Sequence, residues 1–451
     1  MELSLPNSSS EYQVLEAVIH SDRSALAVDI HRLIIEFQIY EHIEKPWLTM
    51  KLIFIDKQNI LQDVDFQGGE KLSMRIRHNE ETTLGQDIVK DFVIDKIDRT
   101  LKLDERTQSV HLHCTEYHAF ISSAQNVNIS DKGAPSEISK RILEKYLDLD
   151  VVIDGEDSVN DMKVIVPNLN PLEAAMWLTK RTTTKDGLPF FLYSALGVNN
   201  LILKDLQKML EQKPGNIDTP YFYAPSMESN KTKMNLYLIS KYTHNAGENL
   251  LRRIRAGIVG AQYKFIDTYH GLTETVDFDV DNVFQGLVHK QLLGGRNTKY
   301  AYSPGYVVKD KPLSENTSTV ISKITSSGAY RSNDKSYRSF EDETVRGNQS
   351  KRINRYALKT FLSKSPLTIT VKGREFLTGD QNYTIGKTIR VHFLDTKPNT
   401  EAGKAELDQK KSGDYIIMGA KHNFVSHSVI THLLCGKVAS LGTDAASFGG
   451  T

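Results

Sequence analysis

Residues 365–395, SPLTITVKGREFLTGDQNYTIGKTIRVHFLD, and residues 413–437, GDYIIMGAKHNFVSHSVITHLLCGK, decide how this chain folds. Leu367, Ile369 and Val371 alternate with polar residues, the period-two pattern of a strand with one buried face. Gly386 marks a turn, and Ile389, Val391 and Phe393 form a second alternating set. After a polar loop, Tyr415, Ile417 and Met418 open a third strand. Val429, Ile430, His432 and Leu433 belong to a fourth. Four strands so closely spaced are the plan of a small closed barrel, in which closure leaves no edge free to pair with other chains.

The same pattern recurs between Ala25 and Phe120. Strands are expected at Ile30–Tyr40, Leu48–Ile55, Leu72–Arg77, Ile88–Lys96 and Ser109–Tyr117, separated by turns at Gln67-Gly68-Gly69, His78-Asn79 and Asp104-Glu105-Arg106. Residues 1–24 read as a loose lead-in with one apolar patch, Val14 to Ile19. Helical spacing begins later. Ser136 is placed to cap a helix with Ile138, Ile142, Leu143, Tyr146 and Leu147 on one face. Asn170-Pro171-Leu172-Glu173 is a helix start: the amide accepts from the first turn, and proline loses nothing at the first helical position. Phe190–Tyr193 and Leu201–Leu203 read as strands around a turn at 197–200. Strands return at Met234–Ser240, a short helix follows at Gly247–Arg255, and a hairpin turns at Tyr269-His270-Gly271. Arg352–Lys364 is helical, with Ile353, Tyr356, Ala357 and Phe361 or Leu362 inward.

The fold class these segments define is α+β, mainly β: two antiparallel β-barrel domains with α/β insertions. Its expected division is 1–120, first barrel; 121–233, α/β insertion; 234–287, first part of the second barrel; 288–352, polar loop insertion; 353–438, helix and remainder of the second barrel; and 439–451, a flexible tail.

Composition narrows the function. The 451 residues are 39% hydrophobic and 25% charged, enough for several packed cores. Lys plus Arg equals Asp plus Glu at 56 each, so the basic excess of a nucleic-acid binder is missing. Cys114 and Cys435 sit in strand-like runs far from any CxxC, which argues against a disulfide framework and for a reducing compartment. No apolar run approaches the ~18 residues of a membrane span, and the first residues show no secretory pattern.

Chemical motifs give little support to catalysis. Gly386-Lys387-Thr388 ends like a phosphate-binding loop, but Gln381 stands where the first glycine belongs, and a strand rather than a helix is expected to follow. Of His111, His113, Cys114 and His118, the two histidines at 111 and 113 share a strand face while Cys114 points the other way, which reads as a strand-edge surface pair; His422, His427, His432 and Cys435 are spread over loop and strand. Asp277, Asp279 and Asp281 share one strand face and read as solvated. Lys241, Arg252, Arg253 and Arg255 suit a helix surface or subunit interface, and Trp47 and Trp177 suit the core. The expectation is therefore no catalytic, cofactor-binding or metal-binding residue, and no cofactor.

Three segments, in order, resemble one family. They are Leu48–Leu52 with Asp56–Ile60 and Gly69–Ser73; Ser326–Tyr330 with Tyr337-Arg338; and Ile385–Ile389 with Phe393, Asp395 and Lys397, followed by Tyr415–Met418, His422 and Thr431-His432-Leu433. The family is the central baseplate hub protein of T-even-like contractile-tailed bacteriophages, whose barrels are like those of the tail tube. The resemblance implies a non-enzymatic virion protein in the tail baseplate, assembled in the host cytoplasm. It implies a homotrimer whose six barrels form a pseudo-sixfold ring between the sixfold tube and the threefold spike, acting in host-cell puncture and genome ejection. The implied partners are a central spike trimer, the tail tube or a tube-initiator protein, other baseplate proteins and, transiently, DNA in the channel, with no integral membrane segment. Two alternatives stand beside it. A tail-associated cell-wall hydrolase would need paired carboxylates or a nucleophile dyad in a cleft. A hub or spike component of a related contractile injection system would share the barrels, with a C-terminal β-helical repeat expected of a spike.

Overall fold

The computed structural model describes residues 11–23, 25–64, 66–78, 87–155, 161–224, 237–245, 249–267, 272–283, 307–325, 348–363, 366–377, 383–395, 406–408 and 410–441. The first seven strands are β1 (Tyr12–Ser21), β2 (Leu26–Asp29), β3 (Ile34–His42), β4 (Thr49–Asp56), β5 (Lys71–His78), β6 (Ile88–Lys102) and β7 (Gln108–Glu116). They lie in the order β2-β1-β5-β6-β7-β4-β3, every pair antiparallel. Their inward faces, with Phe37, Ile39, Met50, Leu52, Phe54, Leu72, Phe92 and Leu112, form one apolar core. The Val14–Ile19 patch lies inside β1, not in a loose lead-in: Ala17 and Ile19 are fully buried. A β-bulge between Val14 and Glu16 breaks the alternation that would have marked this strand. A short helix, α1 (Ile60–Asp63), follows β4; the Asp56 carboxylate accepts from the Ile60 and Leu61 amides at its start.

The insertion contains α2 (Tyr117–Ser123), β8 (Ser130–Gly133), α3 (Pro135–Leu147), β9 (Val151–Asp154), β10 (Met162–Ile165), α4 (Pro171–Thr179), β11 (Phe190–Tyr193), β12 (Leu201–Asp205) and α5 (Leu206–Glu211). Asn170 caps α4 as expected, its Oδ1 accepting from the Glu173 amide at 2.8 Å. At α3 the cap is Ala134 rather than Ser136, because Pro135 fixes the first helical position and Ser136 is buried one residue inside. β12 pairs antiparallel with β11 and parallel with β9, and β8 pairs with β10.

β13 (Tyr221–Tyr223) leaves this region and lies parallel to a later strand, so residues inside 121–233 enter the second module. β14 (Lys241–His244) and α6 (Leu250–Arg255) follow. β15 (Gly260–Asp267) and β16 (Leu272–Asp279) form the expected hairpin, although its turn lies outside the described residues. This hairpin is not part of the second barrel's sheet. β17 (Val307–Val308) and β18 (Lys311–Pro312) pair with each other, and β19 (Val320–Thr325) runs parallel to β15. β16-β15-β19 is thus a separate three-stranded sheet, in place of the polar loop expected for that part of 288–352. Ser326–Tyr330, Tyr337-Arg338, Lys397 and residues 442–451 of the tail lie outside the described residues, whereas Ala439 and Leu441 are buried.

Helix α7 (Asn348–Phe361) buries Ile353, Ala357 and Leu358, while Tyr356, expected inward, is exposed. Then come β20 (Pro366–Lys372), β21 (Thr388–Asp395), β22 (Glu406–Leu407), β23 (Gly413–Val425) and β24 (Ser428–Ala439). The second module runs β14-β20-β24-β23-β21-β13 and closes on itself. Phe222 of β13 donates to Tyr237 O at 3.0 Å and accepts from the Ile239 amide at 2.8 Å. One residue on, the Ser240 amide donates to Thr370 O of β20. A single stretch, 237–244, therefore seals both ends of the barrel.

The first module is completed from elsewhere. β3 pairs with β23 from His42↔Gly419 to Glu36↔Val425, which fuses the modules into one sheet. On the far side, the Glu11 amide donates to His427 O at the tip of the β23–β24 hairpin. The Glu11 carboxylate accepts from the Val429 amide. Phe424 and Val429 consequently sit in the first core, while Ile417, Leu433 and Cys435 of the same hairpin sit in the second. A bulge between Ile417 and Gly419 falls at the crossing, where the Met418 carbonyl accepts from Ile43. Gly419 makes a close approach there: a Cβ would stand 3.0 Å from the His42 ring and 3.2 Å from Glu41 O, so those neighbours would have to give way.

Candidate functional site at the junction of the modules

A group of polar residues on the inward faces of strands gathers where the two modules and the insertion meet. Glu41 continues the inward series Phe37, Ile39, Glu41 on β3; His422 lies between Ala420 and Phe424 on β23, and Thr431 between Val429 and Leu433 on β24. His422 Nε2 is 3.0 Å from Glu41 Oε1, and its Nδ1 is 3.0 Å from Thr431 Oγ1. His422 and Thr431 have no exposed surface and Glu41 is 6% exposed. The second oxygen of Glu41 accepts from the Leu196 amide of the insertion at 2.8 Å. A network with Nε2–H donated to Glu41 and the Thr431 hydroxyl donated to Nδ1 leaves each of these contacts with one donor and one acceptor.

A second carboxylate works beside it. Glu116, at the inward end of β7, accepts from the Leu48 amide at 2.7 Å and from the Ser194 hydroxyl at 3.0 Å. Lys90, inward on β6, stands 3.4 Å from Glu116 and donates to Val198 O at 2.6 Å. The Ser194 amide donates to Lys45 O. The segment 194–198 of the insertion is thereby held on the first module by two buried acids, and one of them, through His422, also holds the shared hairpin. Because these groups are cut off from water, removing one partner strands the others and costs about 3 kcal/mol.

Thr431, His422 and Glu41 have the connectivity of a nucleophile, base and orienting acid. Their packing argues against turnover. The Phe376 ring lies 5.3 Å from that of His422, and Thr431 Oγ1 faces Gly373 so closely that a Cβ there would be 2.5 Å away. No substrate could reach the hydroxyl without opening the sheet. The arrangement serves to fix three parts of the chain in one geometry.

The residues singled out from sequence fall elsewhere or take structural roles. Gly386-Lys387-Thr388 forms a turn, with Gly386 at φ +77° and its amide bonded to Ile417 O, and leads into β21 as expected. His111 and His113 share a half-exposed face, but β7 is an interior strand between β4 and β6, not an edge. His113 Nδ1 lies 2.7 Å from Asp95, whereas Cys114 points into the core. His118 bonds Pro46 O. Of the second histidine set, only His422 joins the junction; His432 bonds Thr370, and Cys435 is a buried free thiol. Burial pushes both thiols up from the usual range. Asp277 meets Gln262, while Asp279 accepts from the Asp281 amide just past the end of β16, so the three acids do not share one strand face. Among the described residues no cluster has metal-binding composition. Arg253 is buried while Arg252 and Arg255 are on the surface. Trp47 and Trp177 are partly buried against the insertion's cores. Among the described residues no helix is long and apolar enough to cross a membrane.

No protein-family model matches the sequence, and no curated protein matches it. Solved structures do. A tail protein from Neisseria meningitidis MC58 superposes with a TM-score of 0.51 at 12% identity, over 94% of this chain and 96% of that one. The 43 kDa tail protein of prophage MuSo2 from Shewanella oneidensis gives a TM-score of 0.52 at 9% identity, over 94% and 98%. This chain has the fold of those tail proteins along nearly its whole length: mainly β, with antiparallel sheets and α/β additions.

Proposed function

We propose that the chain is the central hub subunit of a contractile-tail baseplate. Three copies set six β-modules in a pseudo-sixfold ring, matching a sixfold tail tube above to a threefold spike below. In this account the work is symmetry matching by non-covalent contact, and no bond is made or broken. One observation carries the proposal: one chain brings two β-modules, joined into a single sheet where β3 of the first pairs with the 419–425 half of β23 of the second. The tail-protein fold supports it, as does the occlusion of the triad-like group. The insertion and the residues of 288–352 distinguish the two modules and contact the spike and other baseplate proteins. The site of action is the virion tail, assembled in the host cytoplasm, with DNA passing transiently through the ring.

The test is the mass of the purified protein by native mass spectrometry and light scattering, followed by electron microscopy of the particle. Three times the chain mass and a ring with six similar lobes are expected. A particle that stays monomeric at high concentration, or one that degrades peptidoglycan, would overturn the proposal.

A further inference from the structure

The residues of the β17–β18 hairpin, 307–312, are all exposed, and the chain is buried again only at Leu313 and Ser314. Val307 is 67% exposed and Val308 53%. The pairs Val307↔Pro312 and Val308↔Lys311 put two apolar residues on one face of this finger, and a valine with a cation on the other. The turn holds Lys309 at φ +50° and Asp310 at φ +63°, a left-handed pair for which Asn-Gly is the unstrained choice. Neither lysine forms an ion pair among the described residues. Held out in solvent by a strained turn, the valines add little to the fold of a single chain.

A matching surface lies on the same chain. β16 is the outer strand of β16-β15-β19, and among the described residues nothing pairs with its far edge. A groove of about 160 Å³ runs there between β16 and α7, lined by the consecutive residues 276–279 with Val283 and Ile353. Consecutive residues of a strand point to opposite faces, so the groove follows the edge. Val276 and Phe278 occupy one face and pack in the same core as Ile353. Asp277 and Asp279 occupy the other; Asp277 is bonded to Gln262 and Asp279 to backbone amides, with no cation on either among the described residues. Acids on an open edge keep ordinary strands away, but not a strand that brings its own cations. The finger matches this edge face for face, and it does not line the groove of its own chain. We propose that the β17–β18 finger of one copy docks on the free edge of β16 in a second copy, with β17 extending the sheet, Val307 and Pro312 on the Val276 side, and Lys309 and Lys311 meeting Asp277 and Asp279. Finger and groove are different surfaces, so the contact is heterologous and repeats from copy to copy, as a ring requires. The inference rests on the hub reading for the association of copies, and adds a contact that makes it.

Sedimentation of the full chain over a range of concentrations tests the contact. The wild type should self-associate. Lys309→Glu combined with Lys311→Glu, or Asp277→Lys alone, should weaken the association about tenfold, because like charges then meet. A chain carrying all of these changes should recover to within about threefold of wild type, since every contact is then reversed on both sides. Circular dichroism checks that each variant folds, and Val307→Asp, which should also weaken association, takes the place of one that does not. Association unchanged in the variants, or a combined variant no better than either parent, overturns the docking and leaves the hub reading standing. A wild type that stays monomeric at every concentration overturns both.

Discussion

The two β-modules use similar strands but close differently. The second seals itself with the 237–244 stretch, bonded to β13 at one end and β20 at the other. Among the described residues the first has no such strand of its own; β3 and β1 are joined through the tip of the β23–β24 hairpin. The difference extends to their interiors. Three buried polar groups lie where other elements abut the first module: Glu41 and Glu116 receive the insertion, and His422 arrives on the hairpin. One module is thus a self-contained barrel, and the other is a surface completed by the rest of the chain.

Three measurements test this contrast. Phe424 has no exposed surface, stacks on Phe37 at 4.2 Å and meets Tyr12 edge-on at 5.1 Å. Phe424→Ala should cost about 4 kcal/mol. Hydrogen exchange should show the loss in β1 and β3 with β20 and β21 still protected. Equal loss in both modules would mean that they unfold as one unit. Next, Glu41→Ala should cost about 3 kcal/mol and expose the 194–198 segment to protease. In a double-mutant cycle with His422→Ala the two changes should couple strongly; simple additivity would show that the network does not act as a unit.

The smallest effect belongs to the second module. Burial holds His392 of β21 down to about 4, with Arg390 adding to the shift and Asp414 opposing it. A depressed histidine is neutral in the folded state while the unfolded chain takes up a proton below 6.5. Its contribution is therefore complete above pH 6.5 and declines as the pH falls towards 4. Discounted for solvent screening, the loss is about 2 kcal/mol. Acid should raise exchange in β21 before it does so in β6, and His392→Asn should flatten the profile. An acid response confined to the first module would reverse the assignment.

Much of this fold was legible in the sequence, because alternation and turn chemistry are local. Leu367, Ile369 and Val371 announce β20, and Asn170-Pro171 announces α4, without reference to anything distant. Pairing is not local. The 257–280 hairpin reads the same whether it joins the second barrel or, as it does, β19. Nothing in Tyr221–Tyr223 says that its neighbour is β21, and β1 is hidden by its bulge. The junction did leave a signal. Glu41, Lys90, Glu116, His422 and Thr431 each occupy a position where alternation calls for an apolar residue. A polar residue out of phase in a barrel strand marks where another part of the chain must come to meet it.

Fusion through the hairpin also bears on how the chain is made. Glu41 and His422 are separated by 381 residues, yet they touch. As the chain emerges from the ribosome in order, the strands before residue 120 are synthesised long before Phe424 and Val429, which fill their core. The module translated before the other is thus among the last able to finish folding, and until then its open flank is where a chaperone would be expected to bind.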